Sequence, residues 1–97
     1  MAFGPLKEGS SEAKTSKGKK VVKAESQTLV GANENRVSLS VFNPSSKEVW
    51  LACGSTATKE EGIWLKKESG SIVINDYGGP VSCVTTEGEG TITFVEV

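Results

Sequence analysis

Side chains able to carry chemistry are sparse in this chain of 97 residues, and the most versatile of them is missing. Histidine is absent, which removes the usual general base near neutral pH and the commonest transition-metal ligand. The two cysteines, Cys53 and Cys83, are too few for a structural zinc site, which takes four ligands. Neither shows the neighbouring base or thiol-acidifying setting that a nucleophilic cysteine requires. Carboxylates pair at Glu60 and Glu61 and again at Glu87 and Glu89. Adjacent acids on glycine-rich polar loops fit solvated charge better than the spaced acid–base pair of a glycosidase. The run EGEG, taken with Asp76, lacks the dense, regular oxygen ligands of a calcium loop. SKGKK ends like a phosphate loop but has neither the upstream strand nor the leading glycine. The expectation is therefore a non-enzyme with no catalytic residue, no metal and no cofactor.

Charge is what remains, and it is uneven. Residues 1–25 hold six lysines against three glutamates, while residues 26–97 hold five basic against nine acidic residues. A basic leader thus precedes an acidic domain, an asymmetry that suits an acidic partner surface or a merely solvated tail. Lys14, Lys17, Lys19, Lys20 and Lys23 carry that charge, with no aromatic interleaved for base stacking, so specific nucleic-acid reading is not expected. No apolar run is long enough to span a bilayer, and the first residues lack a signal-peptide apolar core. The expectation is a protein used without export or membrane anchoring, with thiols in a reducing setting.

The elements that position these groups are short strands. Apolar-alternating runs recur about every ten residues, as in SQTLVG, RVSLSVFN, EVWLAC, GIWL, SIVIND, PVSCVTT and TITFVEV. Clusters of Asn, Pro, Gly, Ser and Asp separate them, and Asn43 before Pro44 presets one turn. Helical periodicity is lacking, with ATKEEG long enough for at most one helical turn. The fold class expected is all-β: a small antiparallel β-sandwich or barrel, jelly-roll or immunoglobulin-like, over residues 21–97. Residues 1–20 are expected to form a flexible, lysine-rich arm, because their composition offsets little backbone entropy.

Side-chain parity assigns an inward set: Val37, Leu39, Val41, Val49, Leu51, Cys53, Ile63, Leu65, Ile72, Ile74, Val81, Cys83, Ile92 and Phe94. Glu96 shares that parity, so the last strand is expected to leave the core near Val95. Cys53 and Cys83 could pair only if their strands are neighbours. The opposite parity carries Phe42, Trp50, Trp64, Val73, Val84, Val95 and Val97 among polar residues. Large aromatics there fit either a face covered by the chain's own arm or loops or an intermolecular surface.

The order of motifs resembles small β-domains among the structural proteins of tailed bacteriophages. An Asn-x-Asn-Arg turn falls at residues 33–36, an Asn-x-Ser turn at 43–45, and an apolar-aromatic-apolar strand at 49–51. Gly-Ile-x-Leu follows at 62–65, Gly-Ser before a strand at 70–72, and a Tyr-x-Gly-x-Val corner at 77–81. The resemblance covers residues 26–97 and leaves the arm aside. It implies a virion structural role, foremost a head decoration protein that stabilises the capsid as an oligomer, with a trimer favoured. The implied partner is the major capsid protein or another virion protein, and the implied place is the capsid surface, after assembly in the host cytoplasm. Trp50 and Trp64 are then expected as buried interface anchors, and Lys14, Lys17, Lys19, Lys20 and Lys23 as the charged contact. A head–tail junction or fibre module remains an alternative. So does a carbohydrate-binding sandwich that stacks sugars on Trp50, Trp64 and Tyr77.

Overall fold

A computed structural model describes residues 15–97, and among these no helix occurs. Eight strands follow in order: β1 (Ser16–Val22), β2 (Gln27–Val30), β3 (Ser38–Asn43) and β4 (Val49–Cys53), then β5 (Ile63–Leu65), β6 (Gly70–Asn75), β7 (Val81–Thr85) and β8 (Gly90–Glu96). They form two four-stranded antiparallel sheets, ordered β1-β8-β3-β6 and β2-β7-β4-β5. The two sheets pack as a sandwich. Val22, Leu39, Val41 and Ile92 from the first meet Leu29, Val30, Val49, Leu51, Leu65, Val81 and Cys83 from the second. Period-two alternation puts one apolar set per strand between the sheets, where burial contributes about 25 cal/mol per Å².

Two buried polar side chains fix the loops. Arg36 points its guanidinium inward and donates to four acceptors. These are Glu96 Oε2 at 2.6 Å, Gly31 O at 2.6 Å, Gly79 O at 2.8 Å and Tyr77 O at 3.1 Å. Asn43, fully buried, donates from Nδ2 to Lys47 O and Leu65 O and accepts at Oδ1 from the Ser45 amide and hydroxyl. The motifs at residues 33–36, 43–45 and 77–81 are thus the nodes that tie turns to strands.

Several expectations are corrected. The first strand starts at Ser16, so Lys17, Lys19 and Lys20 belong to the sandwich, not to a flexible arm ending at residue 20. Pairing with β8 along seven residues supplies the order that their composition alone does not. Lys14 and the rest of residues 1–14 lie outside the described residues. Val37 and Cys53 are exposed, because the first precedes β3 and the second ends β4, beyond the cover of the facing sheet. Val84, on the outward parity, is buried beside Trp50 in the register. Glu96 does not carry the chain away from the core, because β8 continues through it and Arg36 neutralises its carboxylate. β4 and β7 are neighbours, yet Cys83 sits opposite Leu51 and both thiols are free.

Candidate functional site: an exposed tryptophan pair

Trp50 on β4 and Trp64 on β5 face each other directly across the ladder, on the outer side of the second sheet. Their rings stack with centroids 6.0 Å apart and planes 18° from parallel, an offset arrangement that aromatic pairs favour. The return from β4 to β5 ends at Gly62, where φ is 92° and an added Cβ would lie 2.6 Å from the Leu51 carbonyl oxygen. Only glycine fits that approach, and it brings the two tryptophans into register.

Both indole N–H groups are held by the protein itself. Trp50 Nε1 donates to Thr86 Oγ1 at 3.1 Å, and Trp64 Nε1 donates to Glu48 Oε1. Glu48 is further fixed by the Lys67 amide. Trp50 is half-buried, whereas Trp64 is 54% exposed. Glu48, Glu60 and Thr86 line a shallow depression with the two rings. What the site offers outward is therefore flat aromatic surface with a carboxylate rim, fixed in place before any partner arrives.

The lysines are elsewhere. Lys17 and Lys19 stand on the outer side of the first sheet, opposite Val95 and Thr93 of β8. Lys20 takes the inward parity opposite Ile92 and is half-buried at the rim, and Lys23 is exposed just after β1. Phe42, Val73 and Val95 are exposed on the same outer side as Lys17 and Lys19. The structure thus separates the two groups expected to act together: tryptophans on one broad face, Lys17 and Lys19 on the other. Tyr77 does not join the tryptophans either. It packs on the core, and its hydroxyl donates to Pro80 O at 2.9 Å, bracing a corner.

Both thiols are pushed up: Cys53, exposed as a residue, by partial desolvation of its sulfur, partly offset by Arg36, and Cys83 by burial to about 11, partly offset by Lys20. That direction is opposite to an activated nucleophile. Glu60, Glu61, Glu87 and Glu89 are exposed, and no group of three potential metal ligands assembles among the described residues. The residue sequence reasoning missed is Arg36, and the signal that could have found it is Glu96, a carboxylate on an apolar parity. The chain matches no protein-family model, no curated protein and no solved structure.

Proposed function

We propose that this chain is a structural docking module, and specifically a head decoration protein of a tailed bacteriophage, seated on the outside of the capsid shell. The observation that carries the reading is the tryptophan pair. Trp64 stays exposed and is stacked on a half-buried Trp50, with the polar atoms of both already satisfied, and such rings are characteristic anchors of macromolecular interfaces. The strand order β1-β8-β3-β6 over β2-β7-β4-β5 is that of an eight-stranded jelly roll, an architecture used by viral capsid and lectin domains. Fold alone assigns no activity; the motif order seen in the sequence points to the virion among these uses. The partner is the major capsid protein or a neighbouring virion protein, met by Trp50 and Trp64 with Glu48 and Glu60 at the rim. That rim suits a basic edge on the shell. Lys17 and Lys19, on the far side, face away from such a contact and remain available to a second, acidic surface.

The test is co-sedimentation of the full chain with purified expanded capsid shells, followed by thermal challenge of the shells. Binding with a raised shell-disruption temperature is expected. Shells that sediment bare at saturating protein would overturn the reading.

A further inference from the structure

The two long rims of the sandwich are built differently. At one rim lie the edge strands β1 and β2. There the core is closed, since Val22 is fully buried and Leu29 and Val30 nearly so. β1 also carries Lys17, Lys19 and the inward-parity Lys20, the kind of charge that keeps an edge from pairing with another chain. At the other rim lie β5 and β6. There Ile63, Ile72 and Ile74 are only partly buried, although Leu51, Val41 and Leu39, their ladder partners, are closed off. β6 reads GSIVIN, six residues with no charge and no proline. Left-handed residues, Glu68 and Asp76, sit near its two ends. Its ladder runs to β3 alone, and among the described residues the backbone of Ser71 to Asn75 has no partner on the other edge.

We propose that β6 is the contact between two copies of this chain, which pair antiparallel about a twofold axis at Val73 and join their first sheets into one of eight strands. The sequence selects both the occupant and the register. With Val73 opposite its own counterpart, Ile72 faces the partner's Ile74 and Ile74 faces the partner's Ile72. Every apolar residue of the strand then meets another, and the polar pair is Ser71 with the partner's Asn75. Moving the axis to Ile72 keeps Ile72 against its own counterpart but sets Val73 against Ser71 and Ile74 against Gly70, which leaves two of the three apolar residues without apolar partners. The paired edge satisfies the free backbone groups of β6 by strand addition. It also covers the half-open isoleucines, and cross-strand β-branched pairs add to the ladder. No charge of β6 opposes a like charge. Val73, 55% exposed and directly beside Ser40 in the ladder with Val95 beyond it, gains an apolar neighbour on its outer side. The inference is independent of the shell contact proposed above, which uses the outer face of the other sheet. It replaces the threefold expected from the resemblance with a twofold.

Sedimentation velocity or light scattering on the full chain tests it. The wild type is expected at the mass of two chains, Val73→Lys at the mass of one with an unchanged circular dichroism spectrum, and Val21→Lys, on the closed rim, still at two. A one-chain wild type up to its solubility limit, a three-chain wild type, or a Val73→Lys that stays paired would overturn the proposal. So would loss of pairing in Val21→Lys. Register is read by oxidation in a Cys53→Ser background. Directly opposed residues of an antiparallel pair lie within disulfide reach, so Val73→Cys is expected to form a covalent dimer and Ser71→Cys is not. Equal cross-linking of both would overturn the assigned axis.

Discussion

The Arg36 node and the Trp50–Trp64 pair are the two least ordinary arrangements in the sandwich, and they differ in what they leave free. Arg36 is a charge taken inside, with its donors directed to Glu96 and to three backbone carbonyls. Four of its five N–H donors are engaged by these partners. The tryptophans are apolar surface on the outer side, with their N–H groups held by Thr86 and Glu48, the Trp64 ring open and the Trp50 ring half-covered. Motifs at the first kind of place specify the fold, whereas a partner can only use the second. The turns at residues 33–36 and 77–81 lie in the first kind, whereas the strands at 49–51 and 62–65 carry the tryptophans of the second.

Breaking the inner node has the largest expected effect. Arg36→Met removes the donor from a partly buried Glu96 carboxylate and three carbonyls at the edge of the core and is expected to cost about 3 kcal/mol, the lower end for breaking a buried ion pair. A domain of this size holds roughly 5–15 kcal/mol in all, so chemical denaturation will show a large fall in midpoint. Glu96→Gln keeps an acceptor for Arg36 and is expected to cost clearly less. Asn43→Ala comes next, at about 2–3 kcal/mol, because Leu65 O and Lys47 O lose their donor. Its melting curve should fall without any change at the tryptophans, whose fluorescence maximum is expected to hold below the transition.

A smaller effect is pH-dependent. Burial raises the Cys83 thiol from 9.0 to about 11, so the folded state keeps its proton after the unfolded chain has released it. The contribution is therefore fully present below about pH 9 and declines between about pH 9 and pH 11. At about 1.4 kcal/mol per pH unit, the loss is roughly 2 kcal/mol across the window. Cys83→Ala, though less stable throughout, is expected to show a flatter profile there in urea titrations at each pH.

Much of this architecture is legible in the sequence. Strand alternation places Leu39, Val41, Val49, Leu51, Leu65, Val81, Cys83 and Ile92 in the core, where they are buried. It fails where parity outlasts the strand, at Val37 and Cys53, because period two says nothing about where the facing sheet ends. It fails at β1 because order there comes from pairing with β8, some seventy residues away, which local composition does not register. Glu96 is misread for the same reason: its partner Arg36 is distant in sequence, and each charge is anomalous only until the two are put together. Of the candidate site, the outward side of both tryptophans is legible from parity. Their direct pairing, and their separation from Lys17 and Lys19, depend on strand order, which spacing alone does not fix.

The outer pair is expected to respond in the opposite sense to the node. Trp64→Ala removes an exposed ring and a stack worth about 0.5–1.5 kcal/mol, so the fold should tolerate it. The most direct measurement is to read the melting temperature and capsid-shell co-sedimentation of Trp64→Ala side by side with the wild type. Near-unchanged melting with binding to shells abolished is the predicted result. Binding that survives at wild-type strength would contradict the assignment of this face as the docking surface.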